Sequence, residues 1–461
     1  MIIRVFLFRT KGKMMRSLFF ILLIKVVVSL TPEEVRSFAS SVPEGGKLWA
    51  LLVAGSNTWD NYRHQADVCH AYQVLHNHGI PDEQIVVMMY NDIAHNSFNP
   101  TPGVIINHPH GPNVYKGVPL DYTKDDVLPK NFFNILWGNE TALKNVGSGK
   151  VIKSNPNDHV FVYFSDHGAY GFICFPGFVS ENDYDNGDIT NDQLISFLKD
   201  YYAAKKYSKM VLYIEACESG SMFIDLPKDI NVFATTAANK DESSSSCYYD
   251  EKLYTYLGDV YSVNWMEDSD KEVLSKESLE KQFRIVKQET NTSHVKQFGD
   301  LTISKMPVSE FQGRKQAKPI TYPKVPFDAV PSNEVPVEIL KRKIERTNSI
   351  REKHELKKQL YKLLKNRRFA DNVVKEIVWY LSFGDEDTYN RMHLRPNGIK
   401  NNCYYEAVRY FRKQCFNYNK NEYLLRHLYK LANICNEGVP LSKIEEAMDV
   451  VCTHPPVCGI K

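Results

Sequence analysis

The chain lacks an excess of charge of either sign, because 57 Lys and Arg residues face 55 Asp and Glu residues and the formal net charge is +2. This balance gives no indication of a nucleic acid partner. After residue 30 the chain also lacks a long apolar run, whereas a membrane-spanning helix needs about 20 predominantly apolar residues. With 43% hydrophobic residues among 461, we expect two or three globular domains and no membrane span.

Cysteine is scarce outside the C-terminal region, which holds five of the nine cysteines. These five are Cys403, Cys415, Cys435, Cys452 and Cys458. In a secreted chain such clustering indicates disulfide bonds that hold a small domain together. Any four of these cysteines permit three pairings, so the connectivity stays open at this point.

A metal-binding pattern is also missing. The candidate ligands lie close together in sequence and are His64, Cys69, His70, His76 and His78. Their spacing does not match that of a tetrahedral site. Residues 181–188 alternate Asp and Asn as calcium loops do, but the acidic ligand expected at the end of such a loop is absent, which favours a solvated turn. We therefore expect neither a metal nor an organic cofactor.

The N-terminal 30 residues have the pattern of a secretory signal peptide. A basic start precedes the apolar stretch from Leu18 to Ile24, and Lys25 interrupts that stretch before it could form a membrane anchor. We expect removal near Ser29 or Leu30, which leaves a secreted chain. In that case the sequons at Asn139 and Asn291 are candidate glycosylation sites.

Two short apolar runs end abruptly in polar, reactive residues. Met210–Ile214 leads into Glu215 and then Cys217, and a similar run from residue 159 to 164 leads into Asp166 and His167. Both runs are predicted to be buried strands, and the carboxyl ends of neighbouring parallel strands open into a ligand crevice. A thiol and an imidazole that meet there have the arrangement of a cysteine protease. The alternative, a buried structural cysteine, is opposed by the carboxylates that flank Cys217.

A third strand, from residue 48 to 54, precedes a predicted helix that starts near Tyr62. Asn61 lies at the turn between the two, on the same side as the predicted crevice. It is a candidate for orienting the imidazole, and the simpler role, that of a helix-capping residue, is compatible with the first.

The C-terminal third differs in composition. Residues 306–340 are rich in proline and lack periodicity, which predicts a linker. Residues 341–368 contain 12 Lys or Arg against 3 Glu, an excess of 12 − 3 = +9, and are predicted to be a basic helical connector. From about residue 370 the pattern is helical throughout and indicates a small all-α domain.

Five motifs from this chain resemble the legumain family, the asparaginyl endopeptidases of peptidase family C13, which share the caspase-like fold. They are NYRHQADVCHAYQ (61–73), IPDEQIVVMMY (80–90), YFSDHGAYG (163–171), YIEACESGSM (213–222) and YSVNWMEDSD (261–270). The resemblance implies an α/β/α sandwich with a mostly parallel central sheet and a C-terminal helical prodomain. The expected domains are a signal peptide (1–30), a catalytic domain (31–305), a linker or activation peptide (306–348) and an inhibitory helical domain (349–461).

The resemblance also implies roles for individual residues. Cys217 is the nucleophile, His167 the base and Asn61 its orienting partner, and backbone N–H groups of Gly168 and Cys217 hold the oxyanion. The pocket for the asparagine side chain is formed by Arg63, His64, Glu215, Ser244 and Asp259. In the helical domain the implied disulfides are Cys403–Cys435 and Cys415–Cys452, which leaves Cys458 over.

The activity implied is cleavage of protein and peptide substrates after Asn, and after Asp as the pH falls, with ligation as a further outcome. The enzyme is expected in the secretory pathway, in a lysosome-like compartment or a gut lumen, with cystatin-type proteins as possible inhibitors. Two alternatives remain open. One is a transferase that resembles the GPI-anchor transamidase, which the absence of an apolar span after residue 30 opposes. The other is a catalytically silent binding protein on the same fold, which the intact Cys217 and His167 oppose.

We further expect the helical domain to be an inhibitory cap held by charge, with the basic connector facing an acidic rim. The rim residues are Glu181, Asp183, Asp185, Asp188 and Glu215. Paired carboxylates with depressed pKa values would lose their stabilising effect in acid. Asn348 lies in the connector and matches the implied specificity, so we expect self-processing there. The alternative is a connector that is merely a solvated charged helix.

Overall fold

The computed structural model describes residues 46–176, 187–326, 328–400, 402–455, 457, 459 and 460. The signal peptide prediction, Glu181, Asp183 and Asp185 of the predicted rim, and Cys458 therefore lie outside the described residues. No helix in the described part of the chain is long and apolar enough to cross a membrane.

The described residues form twelve strands and twelve α-helices. The strands are β1 (Leu48–Ala54), β2 (Ile85–Met89), β3 (His159–Ser165), β4 (Gly168–Ala169), β5 (Phe172–Cys174), β6 (Asp188–Thr190), β7 (Lys209–Glu215), β8 (Val232–Thr236), β9 (Ser245–Asp250), β10 (Thr255–Asp259), β11 (Lys296–Gly299) and β12 (Val330–Pro331). The helices are α1 (Tyr62–Asn77), α2 (Pro129–Trp137), α3 (Asn191–Ala203), α4 (Val260–Lys271), α5 (Leu279–Glu289), α6 (Ser309–Gln312), α7 (Val335–Arg346), α8 (Ile350–Leu381), α9 (Glu386–Met392), α10 (Cys403–Gln414), α11 (Tyr429–Asn436) and α12 (Leu441–Val451).

The central sheet contains six strands in the order β11-β8-β7-β3-β1-β2. Five of them are parallel, and β11 pairs antiparallel with β8 at one edge. The parallel strands are almost continuous apolar runs because both faces of the sheet are covered by helices. The predicted α/β/α sandwich with a mostly parallel sheet is confirmed.

The parallel arrangement brings three strand ends to one edge of the sheet. Ala54 at the end of β1 pairs with Ser165 at the end of β3, and Ser165 pairs with Glu215 at the end of β7. The polar residues that follow these strands therefore start from neighbouring positions. This edge carries the candidate site.

The segment predicted as a linker, residues 306–340, contains ordered elements. Met306, Val308 and Phe311 are buried in the core under the sheet, so the catalytic unit continues through α6. Further along, β12 pairs antiparallel with β9, and α7 packs beside it. The sequence did not predict these elements, because the segment is rich in proline and has no hydrophobic periodicity. Contacts with the rest of the fold hold it in place.

The C-terminal region is helical, as predicted. The basic connector begins in α7 and continues into α8, a helix of 32 residues that also provides the first core residues of the helical domain. Disulfides join Cys403 to Cys435 and Cys415 to Cys452, the pairing that the resemblance implied. Asn348 lies exposed in the short turn between α7 and α8.

Candidate active site

The loops after β3 and β7 are in close contact at the sheet edge. Asp166 donates its backbone N–H to the Glu215 carbonyl oxygen at 3.1 Å. At Gly168 a Cβ atom would lie 2.6 Å from the Cys217 carbonyl oxygen, so only glycine fits there. Glu218 has a φ of 54°, which turns the chain sharply after Cys217. These contacts fix His167 and Cys217 at neighbouring positions.

His167 is buried and held by Asn61. The distance from His167 Nε2 to Asn61 Oδ1 is 2.9 Å, and the Asn61 amide also donates to the Asn57 carbonyl at 3.1 Å. Burial lowers the pKa of His167, with Glu422 acting in the opposite direction. The imidazole is therefore neutral at neutral pH, the form that can accept a proton.

Cys217 is half-buried and lies beside Ser243. Its Sγ is 3.0 Å from Ser243 Oγ and 3.9 Å from Ser244 Oγ. Burial raises the pKa of the thiol, and the contact with Ser243 opposes that shift. Within the described part of the chain the hydrogen bonds of Cys217 go to the two serines and not to His167. In this state the thiol is protonated and poorly nucleophilic.

A second group of buried charges lies beside the catalytic pair. Arg63 Nε donates to Asp259 Oδ1 at 2.9 Å, and both side chains are 1% exposed. Glu215 Oε2 accepts from Ser262 Oγ at 2.9 Å. Three atoms of this group are buried with no hydrogen-bond partner among the described residues: Arg63 Nη2, Glu215 Oε1 and Asp259 Oδ2. One donor and two acceptors thus remain for a ligand.

His64 and Ser244 flank this group. His64 Nδ1 is 2.6 Å from Ser56 Oγ, its Nε2 is 3.6 Å from Asp259 Oδ2, and its ring stands edge-on to that of His167. Burial, followed by the charge of Arg63, lowers the pKa of His64. Ser244 is buried between the thiol and the linker segment. The structure thus brings together all five residues of the predicted pocket.

A possible metal-binding group coincides with this site. His64, Asp166 and His167 have ligand atoms that lie within 4.8 Å of one another. The Arg63 guanidinium is close enough to lower the pKa of both histidines and so opposes a cation at this place.

The C-terminal region closes the site. A cavity of about 140 Å³ is bounded on one side by His167, Gly168 and Cys217 and on the other by linker and helical-domain residues. Glu422 reaches the catalytic residues: its Oε1 accepts from Asn61 Nδ2 at 2.8 Å and its Oε2 lies 3.5 Å from His167 Nε2. Arg395 donates to Glu218 Oε1 at 2.5 Å. Nothing in the sequence pattern distinguished Glu422, Arg395 or Ser243.

The charge contacts of the cap differ from those predicted. Asp188 lies 3.5 Å from Arg412 of α10, and Glu215 is buried in the pocket instead of facing the basic connector. The connector itself pairs with Glu251 through Arg346 and with Glu334 through Arg367. Among the described residues, the helical domain more than the connector therefore supplies the cations at the site. The reason is that the fold places α10 and the loop after α9 over the strand ends.

The two glycosylation candidates differ in exposure. Asn291 is exposed, whereas Asn139 is half-buried and its amide donates to Asn134 Oδ1 at 3.1 Å. Both stay predictions.

Sequence comparison adds independent observations. The family profile described as Peptidase C13 family matches residues 48–314, and the one described as Legumain, prodomain matches residues 358–452. "Legumain" from Rattus norvegicus is 53% identical over 414 residues, which cover 89% of this chain and 93% of that protein. "Legumain" from Canavalia ensiformis is 39% identical over 438 residues, with 89% of each chain covered. "Vacuolar-processing enzyme" from Phaseolus vulgaris is 39% identical over 455 residues, which cover 92% and 89% of the two chains.

Proposed function

The chain belongs to the peptidase C13 family, and from this premise we propose how its residues cleave peptide bonds after asparagine. It is a cysteine endopeptidase of the asparaginyl type, made as a zymogen with a C-terminal prodomain. The assignment of the active site rests on one observation: Cys217 and His167 line the same cavity, and Asn61 is hydrogen-bonded to the His167 imidazole.

In the proposed mechanism His167 takes the proton of the Cys217 thiol, and the thiolate adds to the scissile carbonyl carbon. Asn61 keeps the imidazole of His167 in place through a hydrogen bond. The lowered pKa of His167 favours the neutral form of this imidazole. Backbone N–H groups of Gly168 and Cys217 stabilise the oxyanion. His167 then protonates the leaving amine, and water hydrolyses the thioester.

Specificity for asparagine follows from the atoms that the pocket leaves unpartnered. A carboxamide has one acceptor oxygen and a nitrogen with two hydrogens to donate. Arg63 Nη2 is suited to the oxygen, and Glu215 Oε1 and Asp259 Oδ2 are suited to the two N–H bonds. A buried donor or acceptor that has no hydrogen-bond partner costs free energy. A side chain that provides partners for all three atoms therefore binds more tightly than side chains that leave some of them unpaired. His64 and Ser244 form the walls.

The zymogen is inactive, in this proposal, because the helical domain occupies the site. Glu422 engages both Asn61 and His167, and Arg395 engages Glu218 next to the nucleophile. Substrate cannot reach Cys217 while the linker and the helical domain enclose the cavity. Activation in acid would release this domain after a cut at Asn348, which is exposed between two helices and therefore accessible to a second enzyme molecule.

The predicted signal peptide and the two disulfides of the helical domain support a location in the secretory pathway. We propose a lysosome-like compartment or a gut lumen as the acidic site of action. Protein substrates and the enzyme's own prodomain are the proposed partners, with cystatin-type inhibitors and peptide ligation as further possibilities of the same site.

A peptide-library digest with acid-treated protein tests the function. Mass spectrometry should find cleavage after Asn, and joined peptides would report ligation. The Cys217→Ser variant, which changes one atom, should fold normally and give no products. Cleavage without preference for Asn, or products from the Cys217→Ser variant, would contradict the proposal. A peptidyl-Asn electrophile that fails to label Cys217 would favour a silent binding protein.

A further inference from the structure

The cavity that contains Cys217 and His167 also contains an asparagine of the chain itself. Ser332 and Asn333, which follow β12, line the cavity together with the two catalytic residues. Asn333 is half-buried, and the residue after it is Glu334. An enzyme that cleaves after asparagine therefore holds one of its own Asn bonds beside its nucleophile.

The segment is bound as a substrate strand would be. β12 adds to the edge of β9 in antiparallel register, with Val330 opposite Ser246 and Pro331 opposite Ser245. The Ser332 N–H continues the ladder by donating to the Ser244 carbonyl at 3.0 Å. Main-chain pairing with a sheet edge is a general mode of peptide recognition.

The register of this strand places Ser332, and not Asn333, opposite a residue of the proposed pocket. Ser332 lies opposite Ser244, a residue of the proposed pocket wall, and the two hydroxyl oxygens are 3.4 Å apart. Asn333 comes one position later, within the 3-10 helical turn Ser332–Glu334. Because successive residues of a strand point to opposite faces, a shift of one residue changes which side chain reaches the pocket.

A second contact holds the Asn333 peptide group away from catalysis. Arg367 of α8 donates from Nη2 to the Asn333 carbonyl oxygen at 2.7 Å and from Nη1 to Glu334 Oε2 at 3.0 Å. Arg367 is 4% exposed and its guanidinium lies 4.3 Å from the Tyr423 ring centre. The oxygen that would enter the oxyanion site is thus bound by the prodomain. Arg426 contacts the side chain of Glu334 at 3.3 Å and also lies 5.1 Å from the Tyr423 ring centre.

We propose that the Asn333–Glu334 bond is a second self-processing site, which the strand register and Arg367 protect in the zymogen and which is cut once α8 has left. This inference rests on the proposed asparaginyl endopeptidase function. After departure of α8 the segment stays tethered beside Cys217, at a high effective concentration. A shift of one residue then puts Asn333 in the pocket.

The reaction is an ordinary hydrolysis. The Cys217 thiolate adds to the Asn333 carbonyl carbon, the bond to the Glu334 nitrogen breaks, and that nitrogen takes a proton from the His167 imidazolium. Water then cleaves the thioester, which leaves a carboxylate on Asn333 and restores the thiol. The cut separates α7 from the catalytic unit. It would remove Pro336, which also lines the cavity.

The test follows new amino termini by mass spectrometry while full-length precursor is acidified. Cleavage at Asn348 yields a chain that starts at Ser349, and cleavage at Asn333 yields one that starts at Glu334. We expect Ser349 first and Glu334 afterwards in the wild type, neither in Cys217→Ser, and only Ser349 in Asn333→Gln. An intact Asn333–Glu334 bond in fully matured wild-type enzyme would overturn the proposal.

Protection by Arg367 is tested by the ratio of Glu334 to Ser349 termini, which corrects for general loosening of the domain. Loss of a hydrogen bond from a charged donor is expected to raise this ratio about tenfold in Arg367→Gln. Arg426→Gln is the matched control and should change it by less than about threefold, since a partly exposed contact to a side chain contributes little. Arg367→Lys keeps one charged donor but not the two-pronged guanidinium, so its ratio should lie between those of the wild type and Arg367→Gln. Equal ratios in the two Gln variants would overturn the protective role.

A synthetic Asn peptide separates the two ways of failing. If neither the peptide nor Asn348 is cut by acid-treated wild type, the endopeptidase function itself fails. If both are cut while Asn333 stays intact, only the second processing site fails.

Discussion

A single carboxylate from the helical domain, that of Glu422, contacts both Asn61 and His167. Glu422 accepts from Asn61 and lies within 3.5 Å of His167, although it follows His167 by 422 − 167 = 255 residues in sequence. The contact does more than block access, because it binds the imidazole and the amide that orients it. The inhibition of this zymogen thus has a component that one substitution can remove.

Replacing Glu422 by Gln should weaken this component. The amide keeps the size of the side chain but loses the charge, and charge-assisted hydrogen bonds contribute about 1.5–3 kcal/mol. We expect Cys217 in uncleaved precursor to react about tenfold faster with a peptidyl-Asn electrophile at neutral pH. Glu406→Gln, on the exposed face of α10, is the control. Equal labelling rates in the two variants would contradict this role of Glu422.

Glu215 of the pocket binds a proton more tightly than an ordinary carboxylate does. Burial and the neighbouring Asp259 raise the pKa of Glu215 well above its usual value. Its repulsion of an aspartate substrate therefore declines at a higher pH than the substrate's own pKa of about 3.9. Cleavage after Asp should be weak at neutral pH and should increase as the pH falls.

Glu215→Gln tests this explanation. Loss of one charged acceptor should lower kcat/KM for an Asn peptide by about 10- to 100-fold. The Asp-to-Asn ratio at neutral pH should rise, because the repelling charge has gone. Two peptides that differ only in this residue provide the measurement. Glu267→Gln is the control, since that half-buried carboxylate accepts a hydrogen bond from the Tyr248 hydroxyl outside the pocket. An unchanged ratio would contradict the assignment.

The described carboxylates between the catalytic unit and the helical domain do not have the pKa values that were predicted. Burial raises the pKa of Glu218 to about 7 and raises that of Asp188, despite their partners Arg395 and Arg412. A carboxyl whose folded pKa is raised binds its proton more tightly when folded. Its effect on stability becomes less favourable as the pH rises, so acid does not remove it. The expectation of depressed pKa values was wrong for Asp188, and it was also wrong for Glu215, whose pKa is raised as well.

His427, a half-buried histidine of the helical domain, contributes stability that is lost in acid. His427 Nε2 lies 2.8 Å from Asp371 Oδ1, and Lys430 Nζ lies 3.2 Å from its Nδ1. Burial lowers the pKa of His427 to about 4, against about 6.5 in an unfolded chain. Between these two pH values the imidazole of His427 is therefore protonated in the unfolded domain and neutral in the folded domain. Stability is complete above about pH 6.5 and is lost as the pH falls toward 4.

His427→Gln should make the helical domain less sensitive to acid. The free energy of unfolding of this domain in the precursor should depend less steeply on pH between about 4 and 6.5, by up to about 1.4 kcal/mol per pH unit. Urea titrations at a series of pH values give this slope. His354→Gln, on the exposed face of α8, is the control. A slope equal to that of the wild type would show that the acid response lies elsewhere.

For the whole molecule, activation combines release of a domain with cleavage by the enzyme itself. Purified Cys217→Ser precursor, acidified alone, should loosen its helical domain but stay uncut at Asn348. A trace of active enzyme should restore the cut if the reaction is intermolecular. Mass spectrometry against time gives both results. Maturation of the purified variant at the normal rate, or full activity of uncut wild type at neutral pH, would contradict self-activation.

The sequence by itself determined the chemistry at the strand ends. Cys217 and His167 each follow an apolar run, and the direction of a parallel strand fixes where its last residue lies. Local patterns were also sufficient for the helical C-terminal region. These features depend on residues that are near one another in the chain, where periodicity and turn chemistry have their effect.

The tertiary structure alone decided how the two halves meet. Three contacts join residues that are far apart in sequence. They are the pairing of β12 with β9, the hydrogen bond from Arg367 to Asn333, and the contact of Glu422 with Asn61. No local pattern encodes such pairs, because their partners are chosen by the packing of the whole chain. The pKa values of Glu218 and His427 depend on the same packing, since burial and not sequence sets the cost of their charge.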